Sequence, residues 1–265
     1  MITSVANERI KAVRKLRDRK ERNATGLFYI EGLRIVGDAL ASDAMIEYLI
    51  VAPDLLISDF GRELSRNAME NGIPHMEVSA EVFQNFALKD GPQGIAAVAK
   101  QKWTDLDGVI LSKDDLWIAL DSIQDPGNVG TIMRTMDAAG GKGVILLDHS
   151  TDPYDPTAMR ASMGTLFTQK LVRTSFNDFA SWIFKNQYAL IGTSDAASQD
   201  YHDYNYPNPV ILMMGSEQKG LQENHLKLCR EVVSIPMQGI ADSLNVSVAA
   251  AVVLFEINHQ KRMQK

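Results

Sequence analysis

The chain has 265 residues, of which 45% are hydrophobic, a single cysteine and a net charge of −6. That length suits about two domains, and the apolar fraction is that of a globular protein. One cysteine excludes an internal disulfide framework. The longest apolar run, "VSVAAAVVLF", is about half a bilayer span, and "MITSVANERIK" lacks a signal-peptide core, so a soluble, cytoplasmic protein is expected.

The first predicted element is a basic helix over residues 9 to 22, "RIKAVRKLRDRKER". It carries eight basic and two acidic residues, a local +6 on a chain whose total is −6. Ile10, Val13 and Leu16 form a narrow apolar stripe that docks the helix, leaving Arg9, Arg14, Arg17 and Lys20 facing solvent. Such a segment is either an electrostatic footprint for phosphates or an ordinary solvated helix. The strand "LFYI", the helix "GLRIVGDALA" and the strand "IEYLIVA" follow. A helix near 59–71, "HMEVS", the helix "AEVFQNFAL" and the strand "GIAAVAK" complete an α/β sandwich domain over residues 1–100. Residues 101–114 read as a linker, weakly apolar and so packed on one domain.

Residues 115–265 repeat the alternation. The strands "LWIALDSI", "GVILLD", "YALIGTS", "PVILMMG" and "EVVSIPM" are mostly continuous apolar runs, as expected of parallel strands buried on both faces. Helices fit near 128–139, 156–163, 177–186, 221–229 and 244–260. No internal repeat is present.

Three strand ends carry the chemistry, because ligands of open parallel sheets bind at the carboxyl ends of strands. After the first, "DPGNVG" makes a tight turn in which Asn128 is placed to cap a helix, and Arg134 follows among apolar residues. A buried guanidinium needs partners, so Arg134 is either a structural ion pair or faces a site. After the second, "ILMMGSEQKGL", Gly215 would admit a ligand to the backbone and Glu217 is placed to hold a guanidinium. After the third, "IPMQGIADSLNVSVAAAVVLFE", Asp242 or Ser243 caps an apolar helix, inside which Asn245 and Ser247 need partners. There is no Walker loop, no G-x-G-x-x-G at a strand-to-helix turn and no zinc pattern, so no metal is expected. "DHSTDPYDP" reads as turn and capping chemistry, and "YHDYNYP" as a surface loop rather than a base-stacking platform.

Taken in order, "DPGNVGTIMRT", "RASMG", "MGSEQKGL" and "IPMQGIADSLNVSVA" closely resemble the motifs of the SpoU (TrmH) family of the SPOUT class. These are S-adenosylmethionine-dependent RNA methyltransferases. "FYIEGLRIVGDAL" is similar, more loosely, to the substrate-binding domain that often precedes them. The resemblance implies a C-terminal parallel sheet with a trefoil knot, a homodimer, and methyl transfer to a ribose 2′-hydroxyl of RNA, ribosomal RNA before transfer RNA. It implies cofactor contacts at Gly215, Ile235, Met237 and Leu244. Catalytic or supporting roles fall to Asn128, Arg134, Glu217, Ser243 and Asn245, and an RNA contact to Arg160. In its light the basic N-terminal helix is RNA-binding surface. Asp242 stands where the family usually has glutamate before "SLN", which leaves a cap possible.

Overall fold

A computed structural model describes residues 1–88 and 90–264. The chain divides into two compact units, Met1–Lys102 with Tyr154–Thr168, and Trp103–Pro153 with the chain from Gln169 onward.

The basic segment at the start of the first unit is two helices rather than one, α1 (Glu8–Lys15) and α2 (Arg19–Thr25). The side chain of Asn7 caps α1 by accepting from the Arg9 N–H, and Ile10, Val13 and Leu16 are buried as the stripe predicts. The break has a cause in Arg22. Its guanidinium, only 1% exposed, donates to the carbonyls of Leu16 (2.9 Å) and Arg17 (2.6 Å) and reaches Asp155 at 3.3 Å. Those carbonyls lie beyond the end of α1 and have no intrahelical donor.

β1 (Leu27–Glu31), α3 (Leu33–Leu40), β2 (Ile46–Val51), α4 (Asp59–Glu70), β3 (His75–Glu77), α5 (Ala80–Phe86) and β4 (Ile95–Lys100) follow in the alternation read from the sequence. The strand order is β1-β4-β2-β3, with β4 antiparallel to β1 and β2, and β2 parallel to β3. Arg14 and Arg17 serve this unit's own structure. Arg14 donates to Asn85 Oδ1 and the Val5 carbonyl, and Arg17 to the Phe86 and Ala87 carbonyls at 2.8 and 2.9 Å, the open end of α5. Arg17 is exposed, as the stripe predicts, and Arg14 is half-buried, so both bases also bond within their own unit. The Arg17 guanidinium is spent on carbonyls that a finished helix leaves without donors.

The second unit contains β5 (Leu116–Asp121), α6 (Pro126–Ala138) and β6 (Gly143–Leu147). The chain then passes through α7 (Pro156–Ser162), whose residues belong to the first unit, where the Tyr154 ring packs tilted against Phe28, centroids 4.6 Å apart. β7 (Lys170–Thr174), α8 (Phe176–Asn186), β8 (Ala189–Thr193), β9 (Gln199–Asp200), β10 (Val210–Met214), α9 (Glu223–Leu228), β11 (Glu231–Ser234) and α10 (Val246–Met263) complete it. The sheet runs β7-β6-β5-β10-β8-β11-β9, and every neighbouring pair is parallel. β5, β6 and β10 are buried along their whole length. One sheet face packs Trp117, Ile145, Ile211 and Met213 under Phe179, Trp182 and Ile183 of α8. α6 and α10 pack against each other in the same unit.

The edge strand β7, "KLVRT", escapes a sequence reading because exposed Lys170 and Arg173 flank only two buried residues. Within residues 101–114, Val109 and Leu111 are buried in the core of the second unit, and the Thr104 N–H donates to the Leu171 carbonyl at 2.8 Å. The tyrosine-rich loop is structural: buried Tyr206 donates its hydroxyl to the Tyr201 carbonyl, and its N–H donates to Gln260 of α10. Among the described residues no helix is long and apolar enough to cross a membrane.

Candidate active site

The turn after β5 is built by Asp125, whose carboxylate accepts from the Gly127 N–H at 2.7 Å, with Pro126 at the first helical position. Asn128 therefore does not cap α6. It lies inside the first turn, 8% exposed, and its Nδ2 donates to Glu217 Oε1 at 2.9 Å. A carboxylate only accepts, so Asn128 must offer it the amide nitrogen, which leaves Oδ1 to accept from Asn245 Nδ2 at 3.1 Å. Asn245 in turn caps α10, its Oδ1 accepting from the Ser247 N–H (2.9 Å) and Oγ (2.6 Å). The cap expected of Asp242 or Ser243 thus falls to Asn245, three or two residues further on, and Asn245 and Ser247 satisfy each other.

Glu217 also accepts from the backbone N–H groups of Gln124 (3.2 Å) and Asp125 (3.4 Å). Burial alone would raise its pKa, but the Asn128 bond and the backbone N–H bonds outweigh this and hold the carboxyl below the usual range. It was expected to hold a guanidinium. Three N–H donors from the β5–α6 turn occupy it instead. One continuous hydrogen-bond chain, from Gln124 and Asp125 through Glu217 and Asn128 to Asn245 and Ser247, joins all three strand-end turns.

Beside this chain opens a cavity of about 560 Å³ at the carboxyl ends of β8, β10 and β11. Gly215, Ile235, Met237 and Leu244 line it, and so do Glu217, Ser243 and Asn245. Gly215 also has a structural reason beside the one expected. A side chain there would overlap the Gly220 carbonyl carbon and the Leu221 nitrogen, because the loop folds back to bridge Ser216 with Gly220. Thr193, Ser194 and Asp195 also line the cavity and were missed. The polar carboxyl end of "YALIGTS" was the available signal.

Arg134 is not buried. It shares the exposed face of α6 with Thr131 and Ala138, while Val129, Ile132, Met133 and Met136 face inward. Among the described residues its side chain has no hydrogen bond or ion pair, and it is not part of the cavity wall. Helical phase explains this, since Arg134 lies seven residues, about two turns, from Gly127 and not on the face of Asn128. Arg160 is exposed on α7 and makes one long contact, 3.4 Å, to Thr157. Arg9 and Lys20 are exposed.

Behind the turns lies a buried pair. His225 Nδ1 accepts from the Gln222 N–H at 3.2 Å, closing a capping box on α9, so the Nε2 proton is turned toward Asp121 Oδ1, 3.8 Å away. Burial raises the Asp121 pKa despite the opposing pull of His225.

A fully parallel sheet with an open cavity and a polar network at its strand carboxyl ends defines an α/β enzyme domain that binds a nucleoside-sized ligand. The profile of the SpoU rRNA Methylase family matches residues 115–255, more than half of the chain, and that of the MRM3-like substrate binding domain matches residues 7–97. The chain belongs to the SpoU rRNA methylase family. It is 31% identical over 253 residues to the 23S rRNA (uridine(2479)-2′-O)-methyltransferase of Streptomyces viridochromogenes, covering 93% of this chain and 87% of that one. It is 29% identical to the 23S rRNA (guanosine(2553)-2′-O)-methyltransferase of Bacillus subtilis, covering 97% and 98%. Among solved structures, the AdoMet-bound rRNA methyltransferase from Sinorhizobium meliloti superposes with a TM-score of 0.89 at 34% identity, over 97% of both chains.

Proposed function

We propose that this chain is an S-adenosylmethionine-dependent methyltransferase that modifies a ribose 2′-hydroxyl of ribosomal RNA in the cytoplasm. The observation that carries the reading is the single cavity in which the loops after β10 and β11 meet beside the Glu217–Asn128–Asn245 network. Its volume lies within the range of small-ligand sites, roughly 300–1,000 Å³. Its wall holds the carboxylates of Asp195, Glu217 and Asp242 against the one ammonium of Lys219, a balance that suits a cationic ligand. The two relatives' names and the cofactor in the neighbouring structure support the same reading.

Bound there, the cofactor supplies a methyl group on a sulfonium. The chain has to position the ribose hydroxyl and make it a better nucleophile. Gly215, Ile235, Met237 and Leu244 hold the cofactor, largely through backbone groups. Asn128, Glu217 and Asn245 keep the three turns in register, and Ser243 offers a hydroxyl on the cavity wall. Arg134 is the activating cation. A guanidinium keeps its proton, so it lowers the hydroxyl's pKa and holds the adjacent phosphate rather than acting as base.

In one chain Arg134 stands apart from the cavity wall, and a homodimer places it in a partner's site. Exposed Leu244, Val248 and Phe255 on and before α10, 36%, 48% and 47% exposed, support such pairing. The C-terminal trefoil knot belongs to the same reading. RNA phosphates are met by Arg9, Lys20 and Arg160, the expected bases that remain exposed without being spent on the fold.

Calorimetry with S-adenosylmethionine and mapping of 2′-O-methyl sites in ribosomal RNA, from cells with and without the protein, test the reading. Saturable binding and one lost methyl site are expected. Binding without any lost site would leave an RNA-binding assembly factor as the better description, and no binding would reject the cofactor.

A further inference from the structure

We infer that Asp195 is a cofactor-holding residue, its carboxylate accepting hydrogen bonds from the ribose diol of the nucleoside half. This rests on the cofactor reading above and adds a side-chain contact to a cavity otherwise assigned to backbone groups.

Sheet topology places it. The cavity has two walls, the loop after β10 that begins at Gly215 and the segment from Ile235 to Leu244 after β11. The strand between β10 and β11 is β8, so whatever lies between those walls lies over the carboxyl end of β8, at Thr193, Ser194 and Asp195. The Asn128–Glu217 end of the network is anchored on the turn after β5, on the opposite side of β10. Strands are spaced ~4.8 Å apart, which puts the ends of β5 and β8 about 10 Å from each other. A group held at Asp195 therefore lies about two strand spacings from the Asn128–Glu217 end of the network.

Chemistry selects the diol. Of the three carboxylates on the wall, Glu217 already accepts from three N–H donors, and Asp242 lies on the segment after β11 rather than at the end of β8. Asp195 is exposed to the cavity, and the contact it makes is a 3.4 Å hydrogen bond from the hydroxyl of its neighbour Ser194. An ionised carboxylate only accepts and has room for two donors side by side. A vicinal diol presents two, whereas an adenine edge presents one amine. An acidic residue near a strand end holding ribose hydroxyls is also the solution that other parallel α/β sheets use.

The test is calorimetric titration of the wild-type protein, Asp195→Ala and Asp195→Asn with S-adenosylmethionine, S-adenosylhomocysteine and 5′-methylthioadenosine. All three probes share the ribose. Only the first carries the sulfonium, and the last lacks the amino-acid tail. Loss of a charge-assisted hydrogen bond should weaken binding to Asp195→Ala by roughly ten- to a hundredfold, by the same factor for every probe. The asparagine variant keeps one acceptor and should fall between. A loss confined to S-adenosylmethionine would assign the carboxylate to the sulfonium, and intact methylthioadenosine binding would assign it to the amino-acid tail. Either result overturns the proposal, as does unchanged affinity for all three. Wild-type protein that binds none of the probes would instead reject the cofactor reading on which it rests. Because Asp195 is exposed and its contact with Ser194 is local, an unchanged melting temperature of both variants is expected.

Discussion

Two arginines show how little a residue's neighbours in sequence say about its burial. Arg134 sits among apolar residues yet is exposed, and Arg22 sits among charged residues yet is 1% exposed. Arg22 tolerates burial because two carbonyls and Asp155 receive its donors, the condition under which a buried charge is affordable. Arg134→Ala should abolish methyl transfer while leaving S-adenosylmethionine affinity within about twofold, and Arg134→Lys should fail as well, since a point charge cannot replace a planar fork. Comparable losses of affinity and rate would contradict this separation. Cys229 behaves oppositely to a reactive thiol. Burial pushes its pKa up to about 12, and its Sγ donates to the His225 carbonyl. Folded protein at neutral pH should resist alkylation at Cys229, with labelling appearing only on denaturation.

At the scale of elements, the basic segment divides into two groups of side chains that the sequence shows as one. Arg14 and Arg17 close the structure around α5, whereas Arg9 and Lys20 project from α1 and α2. Arg17→Ala should cost about 1–2 kcal/mol of stability, measured by urea unfolding, with little effect on the salt dependence of RNA binding. Reversing Arg9 and Lys20 to glutamate should do the converse, weakening RNA binding and flattening its dependence on salt. A wild-type salt slope in that double variant would move the RNA interface elsewhere, Arg160 being the remaining marker. The turn network has its own pH signature. Glu217 is more acidic folded than unfolded, so its stabilisation is fully present above the ordinary glutamate range and is lost as pH falls through the depressed value. Glu217→Gln should therefore lower the melting temperature at neutral pH, and the difference from wild type should shrink on acidification.

For the molecule as a whole, assembly as a homodimer predicts complementation between variants. If Arg134 serves a partner's cavity, then inactive Arg134→Ala and a cavity variant with weakened cofactor binding such as Asp195→Ala should recover activity when mixed. Mixing would regenerate one intact site per dimer, with both lesions in the other. Light scattering on the same samples should report a dimer. Absence of recovery in mixtures shown to exchange subunits would place Arg134 in its own chain's site.

The sequence by itself determined the alternation of helices and strands, the parallel sheet of the second unit and the positions of the three strand-end turns. Those features follow from local periodicity and turn chemistry, which neighbouring residues carry. Whether a polar side chain faces a ligand or another polar group was decided only by tertiary structure. Asn128, Glu217 and Asn245 are 89 and 117 residues apart in pairs, and their partners could be named only once the strand order brought the turns together. The same holds for Asp195, which became a cavity residue because β8 was inserted between β10 and β11. It holds too for Arg14, Arg17 and Arg22, whose partners include backbone carbonyls, groups every residue carries and no sequence pattern marks.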